Sequence, residues 1–103
     1  MSKRPTPGLE NSLISDVRYT AASRQHFARG LCGWVTCTVS RTLRLDGLAV
    51  RCTLEGRYAI SFPARRDAKG RQHFVVRPVD DRARRLIERE ILAQLGFVEG
   101  KAP

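Results

Sequence analysis

The side chains best suited to binding a ligand form a short basic cluster in the second half of the chain. Four cations fall within seven residues, and they are Arg65, Arg66, Lys69 and Arg71. Each cation that neutralises a phosphate releases a counterion, so such a loop can bind a nucleic-acid backbone. In a turn, the two adjacent arginines can both reach one strand of phosphates. An ordinary solvated loop has a similar composition, and that interpretation stays open beside the functional one.

A second group of arginines lies in a C-terminal segment with helical spacing. It consists of Arg82, Arg84, Arg85 and Arg89. The helix dipole disfavours cations in the first turns, and an external anion would relieve this. Pairing of Arg84 or Arg85 with Glu88 along the helix is the alternative use. We expect Arg82, Arg85 and Arg89 to extend the positive surface of the basic cluster.

The sequence has no motif that is typical of a catalytic or metal site. No segment has the spacing of a nucleophile elbow, a P-loop or a dinucleotide-binding loop. The three cysteines, Cys32, Cys37 and Cys52, lack C-x-x-C spacing and stand apart from His26 and His73. An odd number of cysteines also argues against a disulfide framework. We therefore predict no enzyme activity, no cofactor, no metal and no small-molecule substrate, with Cys37 and Cys52 as buried thiols.

The charge balance indicates a polyanionic partner. The chain has 19 lysines and arginines against 10 acids, a net charge of +9, and most of these cations are arginines. Arginine presents a rigid fork of donors that matches phosphate, and small basic domains usually bind polyanions. An arginine-rich composition inherited from a GC-rich genome is the alternative. The N-terminus lacks the apolar core of a signal peptide, and the longest uncharged run, residues 30–40, is far shorter than the roughly 20 residues of a membrane span. We expect a soluble, cytoplasmic protein.

Hydrophobic periodicity predicts strands before Pro78 and one helix after it. The predicted strands span residues 14–19, 31–40, 43–54, 58–62 and 72–77, with residues 21–29 as a loop or strand edge. Asp46-Gly47 marks either a tight turn or a bulge within one long strand. A three-residue loop at 55–57 would pair Cys52 with Ile60, so that the apolar residues share one face. Trp34 lies on the other face from Val35, either exposed or in a dimer contact.

The helix is predicted over residues 81–95. Asp80 or Asp81 would cap its start and Gly96 would end it, and an apolar stripe consists of Ala83, Ile87, Ile91 and Leu95. The pattern predicts an α+β fold with a twisted antiparallel sheet of about five strands and one C-terminal helix. Residues 1–13 would form a flexible arm, 14–98 the domain and 99–103 a frayed tail. The core is small, which favours a homodimer.

From residue 15 to about residue 95 the chain resembles the SpoVG family of bacterial septation regulators. The opening strand Ser15-Asp16-Val17-Arg18 is similar, and the stronger likeness is in the stretch YAISFPARRDAKGRQHFVVRPVDD, residues 58–81. It contains, in the family's order, an apolar strand, a proline, a small residue and two basic residues. A loop with one glycine, a second strand and a second proline then precede the C-terminal helix.

The resemblance implies an α+β homodimer that binds DNA with sequence preference, with RNA binding in some members, and that regulates genes or cell division. It places nucleic-acid contact at the basic pair Arg65 and Arg66, and it favours a bulge at Asp46-Gly47. We therefore expect a nucleic-acid-binding regulator with Lys69, Arg71 and the helix arginines at the rim of the site. The alternative is an adaptor that binds an acidic protein of the division machinery through the same basic surface.

Overall fold

A computed structural model describes residues 13–97. Its elements, in chain order, are β1 (Ile14–Ala21), α1 (Arg24–Ala28), β2 (Leu31–Val39), β3 (Leu43–Cys52), β4 (Tyr58–Ser61), β5 (Ala64–Arg66), β6 (Gln72–Phe74) and α2 (Asp81–Leu95). The other residues of the expected N-terminal arm and of the tail lie outside the described range. Leu13, the last residue assigned to the arm, accepts a backbone hydrogen bond from Ser40 at 2.9 Å. None of the helices in the described range is long and apolar enough to span a membrane.

The predicted α+β class is confirmed, although the strands form two sheets. Strands β1 to β4 form an antiparallel sheet in chain order, and β5 pairs only with β6. The prediction of about five strands is roughly compatible with these six, but they form a four-stranded and a two-stranded sheet rather than one. Strand β6 covers only the first half of the predicted 72–77 segment. Pro63 ends β4 because it has no N–H for the ladder, and the chain then folds back on itself locally.

A bulge occurs at Asp46-Gly47, as the family resemblance implied. Val35 pairs with Leu48 and Cys37 pairs with Leu45, so two residues of β3 face one residue of β2. Gly47 has a φ of +78°, a conformation that glycine adopts without steric cost. The bulge explains why the apolar residues of this segment change parity while the strand continues.

The register between β3 and β4 differs from the prediction by two residues. Cys52 pairs with Tyr58 rather than with Ile60, and the connecting loop has five residues rather than three. The Thr53 hydroxyl accepts from the Arg57 N–H at 3.1 Å and closes this longer turn. Leu54 is fully exposed at its tip. The predicted parity is correct because three and five are both odd.

Helix α1 was not predicted. Its N-cap is Ser23, whose hydroxyl accepts from the His26 N–H, and this is a favourable cap. The helix has only five residues and no buried side chain. So short a segment carries no apolar stripe, and periodicity has nothing to detect.

The core lies between one face of the main sheet and helix α2. Its buried strand residues include Val35, Leu48 and Ile60, and Ile91 is the fully buried residue of the helix. The other three residues of the predicted stripe are half-buried. Asp80 caps the helix through a 2.8 Å bond from the Ala83 N–H, and Gly96 ends it in the left-handed conformation. The predicted limits of this helix are confirmed.

The three thiols differ in burial. Cys37 is buried as predicted and Cys32 is also buried, whereas Cys52 is only half-buried. Burial raises the pKa of the Cys32 thiol to about 11, with a smaller contribution from Cys52. Cys32 is therefore a protonated, poorly nucleophilic thiol at neutral pH. Among the described residues, His, Cys, Asp and Glu do not cluster in a way that could hold a metal ion.

Two side chains of α2 pair with the edge strand β4. The Ile60 N–H donates to Glu88 Oε2 at 2.9 Å, and Arg84 Nη1 donates to the Ile60 carbonyl at 3.1 Å. Arg84 also donates to Glu88 at 3.1 Å and lies over the Phe62 ring. Both backbone groups of Ile60 are thus satisfied by the helix, as buried edge groups require. Arg84 is thus occupied by these contacts, and its pairing with Glu88 agrees with the alternative use expected from the sequence.

The opposite edge strand is held in the same manner. The Ile14 N–H donates to Glu90 Oε1 at 3.2 Å, and Gln94 Nε2 donates to the Ile14 carbonyl at 2.9 Å. Helix α2 therefore crosses the sheet from β4 to β1 and leaves its own outer face free. The arginines on that outer face are positioned by this crossing.

Candidate nucleic-acid interface

The basic cluster forms a β-hairpin rather than an open loop. Arg65 pairs with His73 and Arg66 with Gln72, and the Val75 N–H donates to the Pro63 carbonyl at 2.9 Å at the base. We call residues 63–75 the basic hairpin. Within the described chain, neither of its strands packs against another helix or strand. The hairpin therefore projects from the body of the domain.

Asp67 organises the tip of the basic hairpin. Its Oδ1 accepts from the N–H groups of Lys69 and Arg71, both at 2.9 Å. Its Oδ2 accepts from Arg71 Nε at 3.1 Å and lies 2.8 Å from His73 Nε2. These bonds, that to His73 foremost, hold the pKa of the carboxyl below its usual value. The one acid of the basic cluster thus accepts hydrogen bonds from within the turn and stabilises it.

Acidification should loosen this turn. A carboxyl with a lowered native pKa stabilises the fold fully above its unfolded pKa of about 3.9. That stabilisation is lost as the pH falls through the lower native pKa. We expect the amide NMR signals of Lys69 and Arg71 to shift together as the pH falls below the unfolded pKa of about 3.9 and through the lower native pKa.

Asp67→Ala should show the loosened signals already at neutral pH. For this variant at neutral pH, the Ala83 amide in helix α2 is the internal reference, because it is bound to a different carboxylate, Asp80. Lys69 and Arg71 amides that keep their positions in acid, or in Asp67→Ala, would contradict the role of this carboxylate.

Arg65 and Arg66 lie on opposite faces of the basic hairpin. Both belong to β5, and successive residues of a strand alternate in direction. Arg65 shares a face with His73, whereas Arg66 Nη1 donates to the Gly70 carbonyl at 2.8 Å. The expectation that the two arginines lie in a turn, from which both could reach one strand of phosphates, is therefore wrong. Each face of the hairpin instead presents one exposed arginine.

The root of the hairpin has an aromatic contact that sequence reasoning did not identify. The Arg77 guanidinium lies 5.8 Å from the centre of the Phe74 ring, and Phe74 is 46% exposed. An exposed aromatic ring of this kind can stack on a nucleic-acid base. The predicted strand over residues 72–77 would place Phe74 and Arg77 on opposite faces, so only the structure shows that Arg77 accompanies the ring. The pair places one more cation beside the basic hairpin.

The helix arginines occupy the outer face of α2. Arg82, Arg85 and Arg89 follow a spacing of three and four residues, which places them on one side of a helix. All three are exposed. They make no ion pair with another residue of the described range. Arg84 turns inward to Ile60 and Glu88.

The structure does not bring the two basic groups into direct contact. Helix α2 packs against β1 and β4 and not against the strands of the basic hairpin. Phe62, on which Arg84 lies, directly precedes Pro63 at the root of the hairpin. The first turns of α2 and the hairpin root are thus neighbours, and the hairpin tip extends away from them.

Comparison with models of protein families, with curated proteins and with solved structures found no match to this chain. The resemblance to the SpoVG family stays a hypothesis that rests on the residues quoted above. The geometry of the basic hairpin and of helix α2 is therefore the basis from which function is inferred.

Proposed function

We propose that this protein is a nucleic-acid-binding regulator and that the basic hairpin is its principal contact with phosphates. One observation carries the proposal: the hairpin projects from the domain with exposed cations on both faces, while its only acid is bound within the turn. A protruding ribbon of this kind is suited to a groove or a phosphate backbone. The helix arginines would widen the contact.

Assembly into a homodimer forms part of the proposal. The buried core of one chain is small, and small cores gain stability from association. Val75 and Val79, next to the hairpin root, are 61% and 91% exposed. A second chain could cover these side chains and would double the number of phosphate contacts. Light scattering that shows a stable monomer at micromolar concentrations would contradict this part.

The resemblance to SpoVG proteins supports DNA as the principal ligand, RNA as a further one, and a cytoplasmic role in gene regulation or septation. A binding panel tests the class of ligand. Duplex DNA, single-stranded DNA and RNA of one sequence are titrated at a fixed salt concentration. We expect at least one to bind with an affinity that falls linearly on a log–log plot against salt.

Competition distinguishes a nucleic-acid binder from the adaptor alternative, because both are sensitive to salt. Unrelated duplex should displace a labelled duplex, whereas polyglutamate of the same total charge should do so poorly, since it lacks phosphate geometry. Equal competition by polyglutamate would favour an acidic protein partner. Failure of all three nucleic acids to bind would refute the proposal.

A further inference from the structure

The main sheet has one face that helix α2 does not cover. Trp34 lies on this face, and its cross-strand partners there are Thr20 and Ala49. Ala49 in turn pairs with Ser61. We call this surface the open face. Small side chains on both sides of Trp34 leave its indole 38% exposed.

The Trp34 indole contacts a histidine ring on one side. The His26 ring meets it edge-on, with centroids 5.9 Å apart, and His26 Nδ1 lies 2.8 Å from the Ser23 hydroxyl. The N-cap of α1 therefore fixes the histidine that borders the tryptophan. A ring fixed in this way can receive a second ring at little cost in side-chain entropy.

Arginines accompany Trp34 on the open face. Arg51 Nε donates to the Ser61 hydroxyl at 3.1 Å, and its terminal nitrogens make no hydrogen bond within the described range. Arg44 donates to the hydroxyls of Thr36 and Thr38 at 2.6 and 2.9 Å. Those hydroxyls hold the guanidinium flat against the strand, with its charge at the surface.

Positive charge predominates on this face. Arg18 and Arg44 share one acid, Asp16, at 3.2 and 2.9 Å. Arg51 makes no ion pair within the described chain. One carboxylate against three guanidinium groups leaves an excess of positive charge beside an exposed aromatic ring. Polyanions with stackable rings have the matching chemistry.

We propose that the open face binds single-stranded nucleic acid, with a base stacked on Trp34 and the flanking phosphates at Arg51 and Arg44. The inference rests on the proposed function for its class of ligand, but it concerns a separate surface. A duplex keeps its bases stacked inside and cannot offer one to Trp34. A second copy of this chain does not fit, because a two-fold contact would place arginines against arginines.

The geometry suits an extended strand. Arg51 lies two residues along β3 from Ala49, the partner of Trp34, so the two positions are diagonal neighbours about 7 Å apart. Arg44 pairs with Thr38, which lies about 13 Å along β2 from Trp34. Arg51 and Arg44 thus lie on opposite sides of Trp34 along the strand direction, Arg51 closer and Arg44 farther away, where the phosphates flanking a stacked base would lie.

Fluorescence provides the test, because Trp34 is the only tryptophan of the chain. The full chain is titrated with oligothymidine of about 12 nucleotides, a length within the range of single-strand sites. We expect its binding to quench Trp34, and a duplex of equal length to bind without comparable quenching. Equal quenching by the duplex, or none by the oligothymidine, would overturn the inference.

Substitutions separate stacking from packing. Trp34→Ala should weaken oligothymidine binding about 5- to 100-fold, as the loss of one stacked base does. Trp34→Phe should keep most of the affinity, since it keeps a ring. Phe27→Ala is the matched control, because Phe27 is an exposed aromatic residue in a cleft with Leu54. Equal losses in the Ala and Phe variants of Trp34 would contradict stacking.

Arg51→Ala leaves the tryptophan in place and tests the phosphate contact. The salt slope of oligothymidine binding should fall by about 0.7, and an unchanged slope would exclude Arg51 as a contact.

A variant of the basic hairpin distinguishes this inference from the proposed function. Oligothymidine should still quench Trp34 when Arg65 and Arg66 are both replaced by Ala. Loss of quenching in that variant would overturn an independent open-face site and leave the hairpin proposal intact. If this double variant binds duplex with unchanged affinity and oligothymidine still quenches Trp34, the hairpin proposal is refuted and the open-face proposal stands.

Discussion

Arg65→Ala combined with Arg66→Ala should abolish duplex binding near physiological salt while the fold and the assembly state stay unchanged. Both side chains are exposed on a hairpin that packs against no other element of the described chain. Surface substitutions of this kind change stability by about 0.5 kcal/mol or less. If each arginine of a homodimer contacts a phosphate, the change removes about four contacts, and the slope of log affinity against log salt should fall by roughly 3 to 4.

A charge-matched control separates this contact from the general positive field. Arg24→Ala with Arg29→Ala removes the same charge from the exposed helix α1 and its C-cap, far from the hairpin in sequence. Its effect on the salt slope should be small. An unchanged duplex affinity in a folded Arg65/Arg66 double variant would place the site elsewhere, with Arg82, Arg85 and Arg89 as the next candidates. Equal losses in both double variants would indicate a diffuse electrostatic attraction.

The structure makes the two single variants informative as well. Arg66 donates to the Gly70 carbonyl, whereas Arg65 makes no hydrogen bond through its side chain within the described range. Because the two lie on opposite faces, a ligand that binds one face of the ribbon would depend on one arginine far more than on the other. Comparable losses would indicate that the hairpin inserts between two phosphate strands.

Local signals determined the parts of the fold that sequence reasoning predicted correctly. The capping carboxylate of Asp80 and the left-handed Gly96 delimit α2, and alternation defines β2. Each of these features depends on residues only a few positions apart. The bulge at Asp46-Gly47 was also detectable, because the change in apolar parity could mean only a turn or an extra residue.

Features that depend on distant partners were not predictable in this way. The five-residue turn after Cys52 depends on the Thr53 hydroxyl, and parity alone cannot distinguish it from a three-residue turn. Arg84 is four residues from Glu88, which suggested a helix pair. Its bond to the Ile60 carbonyl, however, joins residues 24 apart in sequence. Only the packed structure shows which of the four helix arginines is unavailable to a ligand.

The candidate site was predicted in composition and not in geometry. The cations after Pro63 were evident from the sequence, as was Asp67 among them. No local pattern indicated that Asp67 accepts bonds from Lys69, Arg71 and His73. That arrangement turns a loop into a hairpin and sends Arg65 and Arg66 to opposite faces. Trp34 was left open between exposure and a dimer contact because the strand pattern does not show which face a helix covers.

Ile91→Ala should cause the largest loss of stability among single substitutions in α2. Ile91 is the fully buried residue of this helix and packs against the sheet core. Truncating a buried isoleucine to alanine costs about 2 to 5 kcal/mol. The described domain has 85 residues, the span from 13 to 97, and a domain of this size is stable by only about 4 to 13 kcal/mol. Thermal unfolding should therefore shift downward by about 10 °C or more.

Leu86→Ala is the matched control, because Leu86 lies on the same helix but is 41% exposed. Its cost should stay within about 0.5 kcal/mol. Ile91 is buried in the core beneath the helix that pairs with both edge strands, whereas the arginines proposed as phosphate ligands are exposed. The folded fraction of Ile91→Ala at low temperature should thus bind duplex as the unaltered protein does. The arginine double variant should show the reverse pattern, with binding lost and stability kept. Equal destabilisation by Leu86→Ala and Ile91→Ala would show that α2 does not pack through Ile91.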